Sequence, residues 1–243
     1  IGLVGKYVRL HDAYLSVAEA LRHAAWAQDA SAEIAWIDAE ELEKPEGERL
    51  LSDLDGIIVP GGFGLRGTEG MLAAARYARE RHLPYFGICL GMQTAVIEFA
   101  RDAAGLAGAN SGEFDPASPH KVIDFMPGQN ESVDKGGTLR LGACPCEIVP
   151  GTTLARCYGQ DEVWERHRHR YELNNAYRGR LTAAGLTLSG LSPDGKLVEA
   201  VELGSERFFV GVQYHPEFKS RPNKAHPLFR GFIAAALDEA KKR

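Results

Sequence analysis

Three short apolar runs constrain this chain more than anything else in it: Gly56-Ile57-Ile58-Val59, Pro84-Tyr85-Phe86-Gly87-Ile88 and Phe208-Phe209-Val210-Gly211-Val212. None shows the polar alternation of a strand with one wet face, so each reads as a strand buried on both faces. Each stops abruptly, at Pro60-Gly61-Gly62-Phe63-Gly64, at Cys89-Leu90-Gly91-Met92-Gln93 and at Tyr214-His215-Pro216-Glu217. Helical periodicity follows the first two, over Thr68 to about Arg81 and over Thr94 to Ala104. Strands alternating with helices at this spacing predict βαβ units, hence an α/β fold with a doubly wound, mostly parallel sheet flanked by helices. The ligand crevice of such a sheet lies at the carboxyl ends of its strands. Both glycine-rich turns fall there.

The rest of the chain fits the same plan. Ile1 to Val4 and Ile34 to Ile37 read as further strands, and Asp12 is placed to cap a helix running to about Ala27. Pro227 to Lys241 reads as a last helix with Leu228, Phe232, Ala235 and Ala236 on one face. Gly2-Leu3-Val4-Gly5-Lys6-Tyr7 is not a phosphate loop, because its glycines are too close and no Ser or Thr follows the lysine. The stretch from 107 to 137 is rich in turn-forming residues, with one strand expected over Lys121 to Met126. Leu139 to Val149 reads as one or two strands and Tyr158 to Arg166 as a brief helix. Weak alternation over 170–174, 186–192 and 197–203 predicts a small antiparallel edge, with a hairpin turn at Asp194-Gly195.

Size and charge narrow the function classes. The 243 residues suit one large α/β domain over 1–243. A net charge of −5 and the absence of a basic stripe argue against nucleic acid as a partner, since Arg166 to Arg170 is short and flanked by acidic residues. No apolar run reaches membrane-span length, and no signal peptide precedes the first strand. Cysteines 89, 144, 146 and 157 lack a disulfide framework, which points to a reducing, cytoplasmic setting. Cys144-Pro145-Cys146 has no second pair at zinc spacing, so no metal is expected. The chain opens at Ile1 already inside a strand-like run, as a domain cut from something longer would.

Cys89, flanked by Gly87 and Gly91 between a strand and a helix, has the pattern of a nucleophile elbow. A helix N-terminus favours a thiolate there. A lone cysteine after a strand is more often a core residue, so the partners decide. His215 and Glu217 lie two apart at the end of an extended run and point to one side, with Pro216 stiffening the chain between them. Together the three supply a nucleophile, a general base and a group that orients the base. The N–H of Leu90 and one from Gly62 or Phe63 are natural oxyanion donors.

These motifs resemble the class I (triad) glutamine amidotransferase family. More narrowly, Gly5-Lys6-Tyr7, Asp12 to Val17, Gly136 to Gly142 and Glu165 to Tyr171 are similar to the glutaminase half of the CTP synthase family, over essentially the whole chain. The departures, His11 and Leu139, lie outside the catalytic groups. The resemblance implies that Cys89, His215 and Glu217 hydrolyse L-glutamine, with substrate contacts at Gly62, Phe63, Leu90, Gly91, Met92, Gln93, Glu113 and Arg170. It further implies no cofactor in this domain, ammonia passed to an N-terminal synthetase domain that this chain lacks, amination of UTP there with ATP and Mg²⁺, GTP as allosteric activator and a homotetrameric full-length enzyme. Two other readings keep the fold. One is a stand-alone γ-glutamyl hydrolase or cysteine peptidase, and the other a non-catalytic regulatory module.

Overall fold

The computed structural model, which describes residues 1–125, 140–204 and 208–242, is built around a nine-stranded sheet. In chain order its elements are β1 (Gly2–Gly5), α1 (Leu15–Trp26), β2 (Ala35–Asp38), α2 (Ala39–Leu42), β3 (Ile57–Val59), α3 (Thr68–Arg81), β4 (Tyr85–Ile88) and α4 (Leu90–Asp102). Then come β5 (Ala109–Ser111), β6 (His120–Phe125), β7 (Arg140–Ile148), α5 (Thr153–Tyr158), β8 (Glu162–His169), β9 (Tyr171–Leu173) and α6 (Arg178–Ala183). The last four are β10 (Leu186–Leu191), β11 (Val198–Leu203), β12 (Phe209–Val212) and α7 (Pro227–Ala240).

The large sheet runs β2-β1-β3-β4-β12-β11-β10-β7-β8, and β5-β6-β9 form a second, small one. The first five strands are parallel, in register from Ile57↔Tyr85 and from Tyr85↔Phe209 through Ile88↔Val212. The other four continue antiparallel. The parallel core matches the sequence-based expectation, while the antiparallel part is four strands wide rather than a narrow edge.

The central strands are apolar throughout because successive residues feed two different cores. Ile57, Val59, Tyr85 and Phe209 pack with Met71 and Ala75 of α3 and Val96 of α4. Leu3, Ile58, Phe86, Ile88, Val210 and Val212 face the other way, onto Leu21 of α1 and Phe229 and Phe232 of α7. Full burial of one such side chain contributes about 1.5–3 kcal/mol, which leaves no face of these strands for polar residues.

Several local expectations are corrected. The brief helix is α5, capped by the Thr152 hydroxyl accepting from Ala155 N–H (3.1 Å), and it ends at Tyr158. Beyond it the chain forms β8, whose residues alternate exposed and buried from Glu162 to His169. Its inward positions are Val163, Glu165, His167 and His169, so a strict period of two is invisible to a search for apolar alternation. Asp12 is not the cap of α1: it sits in a 3₁₀ turn over His11–Tyr14, and α1 begins after it with Tyr14 at the N-cap position. The Cys89 helix starts at Leu90, four residues before the expected point. Residues 171–173 pair with β6 in the small sheet. Met126, the expected end of a strand, and the motif residues Gly136-Gly137-Thr138-Leu139 lie outside the described residues. No helix among the described residues is long and apolar enough to cross a membrane.

Candidate active site

Cys89 joins β4 to α4 with φ 52° and ψ −102°, outside the regions that L-residues ordinarily occupy. Its N–H donates to Val212 O on the neighbouring strand (2.7 Å), and its carbonyl accepts from Gln93 N–H (3.2 Å). The turn is this tight because glycines surround it. A Cβ on Gly87 would fall 2.6 Å from the Gly91 carbonyl carbon, and one on Gly91 only 2.0 Å from Val59 O. The first turn of α4 therefore rests directly on the β3 and β4 backbones, which aims its free N–H groups past Cys89.

His215 follows β12, and its N–H donates to Arg166 O on β8 (2.8 Å). Its Nδ1 meets Glu217 Oε1 at 2.8 Å, leaving Nε2 for Cys89. Glu217 lies in a 3₁₀ turn opened by Pro216, and the Phe218 ring stacks on the imidazole at 5.6 Å between centroids. Burial works against the imidazolium, but the hydrogen bonds and charges of Cys89 and Glu217 outweigh it and push His215 up to about 10. His215 thus faces the sulfur as a proton donor. Gly61 keeps the space beside both groups, since a Cβ there would lie 2.8 Å from His215 Cε1 and 3.6 Å from Cys89 Cβ.

The turn 60–64 approaches from β3. Gly62 lies against Leu90, with a Cβ position 3.2 Å from Leu90 Cδ2. Lys6, at the end of β1, secures this turn: its ammonium bonds to Phe63 O (3.4 Å), to Gly64 O and to Thr68 Oγ1 (3.4 Å). Burial lowers Lys6 to about 8, against the raising influence of Glu113. Glu113 Oε1 in turn accepts from Gly64 N–H at 3.0 Å. In the sequence Lys6 appears in a rejected phosphate-loop pattern and within the family motif Gly5-Lys6-Tyr7, with no role in the site assigned to it. The available signal was a lysine at the carboxyl end of a buried parallel strand, beside the other site turns.

A cavity of about 310 Å³ opens onto these groups, lined by Tyr7, Tyr14, Gly62, Phe63, Cys89, Arg168, His215, Glu217 and Phe218 among others. The expected site residues are therefore distributed unevenly. Cys89, His215, Glu217, Gly62 and Phe63 line the cavity, and Leu90 supplies the first N–H of α4. Gly91 and the fully buried Met92 face the core, so any contact they make with a substrate is through the backbone. Gln93 is buried, with its amide on Tyr171 O and Gln213 Oε1, both at 3.1 Å. Glu113 holds the 60–64 turn, and Arg170 is the half-buried bend between β8 and β9; both lie outside the cavity lining. Arg168 lines it instead, its guanidinium 5.9 Å from the Phe63 ring centroid.

A model of the glutamine amidotransferase class-I family matches residues 9–235. This chain belongs to the class-I glutamine amidotransferase family. The match extends to CTP synthases: the amidotransferase is 61% identical over 241 residues to CTP synthase of Carboxydothermus hydrogenoformans. It is 60% identical over 243 residues to that of Pelotomaculum thermopropionicum. It covers 99% and 100% of its own length in these comparisons and spans 45% of each relative. Its fold superimposes with a TM-score of 0.91 on the glutaminase domain of Trypanosoma brucei CTPS with bound acivicin, at 43% identity over 98% of this chain and 93% of that one.

Beside His215 the amidotransferase buries a charged cluster that is not apparent from the sequence. Arg140 on β7 pairs with Glu199 on β11 (2.5 Å), and His167 Nε2 lies 3.7 Å from the same carboxylate. His169 meets His167 at 2.8 Å and Glu172 at 3.3 Å. Burial first, then Arg140, hold His167 and His169 down to about 2 and about 3, so both are neutral. A second hub is Glu165, which takes His226 at 3.0 Å, the Tyr158 hydroxyl at 3.0 Å and Lys219 at 3.2 Å. Among the described residues, no group of three or more His, Cys, Asp or Glu is placed to hold a metal ion.

Proposed function

We propose that this chain is the glutaminase part of a glutamine-hydrolysing CTP synthase, with Cys89 as nucleophile and His215 and Glu217 as its acid–base pair. The observation that carries the reading is the Cys89 elbow at the head of α4 facing an imidazole anchored by Glu217 at 2.8 Å. The Cys89 sulfur attacks the carboxamide carbon of L-glutamine, and the developing oxyanion takes N–H groups from Leu90 and from the Gly62–Phe63 turn. His215, charged at neutral pH, gives its proton to the departing ammonia as the C–N bond breaks. Now neutral, it takes a proton from water, which attacks the γ-glutamyl thioester and releases glutamate and the Cys89 thiolate. Glu113 and Arg170, which lie outside the cavity lining, are proposed as partners of the substrate's amino-acid end on the family resemblance alone.

In this reading ammonia passes to a synthetase domain, where ATP with Mg²⁺ activates UTP for amination to CTP and GTP stimulates glutamine hydrolysis. The whole enzyme acts in the cytoplasm as a homo-oligomer. An electrophilic glutamine analogue should add a single adduct by intact mass, blocked by glutamine and absent from Cys89→Ala. An adduct that persists in Cys89→Ala would overturn the assignment. So would the absence of an adduct after a synthetase half and GTP are supplied.

A further inference from the structure

We propose that Gln213 is a further catalytic residue, a hydrogen-bond donor to the Cys89 sulfur, and that Gln93 positions it. Gln213 follows β12 as Cys89 follows β4, and the two strands are parallel neighbours in register through Ile88↔Val212. The two side chains therefore leave the sheet together, and Gln213 Nε2 lies 3.6 Å from Cys89 Sγ. Gln213 is fully buried, and its backbone is held from the other side by Glu199 O accepting from its N–H (2.8 Å). A glutamine has no packing reason to end an otherwise apolar strand. A buried amide is costly unless its groups are bonded.

The network itself decides which end of the amide faces the sulfur. Tyr171 O is a backbone carbonyl and can only accept, so the Gln93 group 3.1 Å away must be its NH₂. The same NH₂ lies 3.1 Å from the Gln213 side chain, which must present its oxygen there. That leaves the Gln213 NH₂ on Cys89. Gln213 is thus a donor by construction, suited to an anionic sulfur and unsuited to a neutral acceptor role. It stabilises the thiolate before attack and again when thioester hydrolysis expels it. This divides the labour at the sulfur, since His215 is the group that gives up its proton to the leaving ammonia while Gln213 keeps its N–H throughout the cycle.

The inference rests on Cys89 being the nucleophile. The test is the pH profile of iodoacetamide alkylation, resolved by cysteine, on the 243-residue chain and on Gln213→Met, Gln213→Glu and Gln93→Met. In the parent, Cys89 should react faster than Cys144 or Cys157. A parent Cys89 no faster than these two would overturn both the nucleophile reading and the role of Gln213. Given a reactive parent Cys89, loss of one hydrogen bond to a charged group should slow alkylation at neutral pH about tenfold in Gln213→Met and move its profile upward. Gln213→Glu, nearly isosteric and anionic, should move it further, and Gln93→Met less, because the Gln213 amide is then free to turn. Folding is checked by circular dichroism, and the isosteric variant guards against a packing defect in the apolar one. Profiles in the folded variants that coincide with the parent would overturn the role of Gln213 while leaving Cys89 as nucleophile.

Discussion

Cys89 is an L-residue in a conformation that only glycine adopts freely, so replacing it with glycine should stabilise the fold while destroying the site. The comparison that isolates this is Cys89→Gly against Cys89→Ala, since both variants lack the sulfur and its bonds to His215 and Gln213. Alanine keeps a Cβ at φ 52° and ψ −102°. That point lies outside even the small left-handed well, so its cost belongs toward the upper end of the roughly 1–3 kcal/mol typical of such residues. Glycine removes this cost but gives back about 0.5–1 kcal/mol through the greater entropy of its unfolded chain. The expected balance is about 1–2 kcal/mol in favour of Cys89→Gly, or roughly 2–8 °C in Tm for a domain of this size. Urea unfolding with matched slopes provides the measurement. The same alanine-to-glycine change at Ala73, within α3, should cost about 1 kcal/mol and serves as a control of opposite sign. If Cys89→Gly proves no more stable than Cys89→Ala, the elbow is not strained and the reasoning fails.

Two further outcomes rest on the same geometry. Gly91→Ala places a Cβ 2.0 Å from the Val59 carbonyl oxygen, a backbone atom that cannot swing aside; the expected loss is at least about 3 kcal/mol, and a urea midpoint within about 1 kcal/mol of the parent would refute the close approach. His215 is raised from 6.5 to about 10 in the folded state, so its protonated form contributes stability that is complete below pH 6.5 and disappears as pH climbs to about 10. The stability gap between the parent and His215→Asn should therefore shrink across that window in unfolding titrations, and a gap that widens would contradict the sign.

How much of this was legible in the sequence depended on whether a buried position carried an apolar residue. β3, β4 and β12 announced themselves because Ile57 to Val59, Tyr85 to Ile88 and Phe209 to Val212 feed two apolar cores at once. The nearness of Cys89, His215 and Glu217 was legible for the same reason, as they sit where those runs break off. β8 was misread because Glu165, His167 and His169 fill its inward positions, so a period of two existed in burial but not in hydrophobicity. Lys6 and Gln213 received no site role because each is a single polar residue at the end of an apolar strand. Gln93 entered through family resemblance as a substrate contact, whereas its amide is engaged by Tyr171 and Gln213.

The misread strand also explains why His215 and Glu217 sit beside Cys89. β8 is four places from β12 in the sheet, yet Arg166 O on β8 accepts from His215 N–H just beyond β12. The antiparallel half must therefore curl back over the carboxyl end of the parallel half. The interior of that curl holds Arg140, His167, His169, Glu172 and Glu199, drawn from three strands of the large sheet and from β9 of the small one. As built, the curl holds the chain on either side of Tyr214, with Glu199 O bonded to Gln213 N–H and Arg166 O to His215 N–H. The two side chains that meet the Cys89 sulfur are thus fixed by backbone bonds to strands outside the parallel sheet. Cys89 belongs to the parallel core, and the backbone that carries Gln213 and His215 to it is positioned by the antiparallel extension.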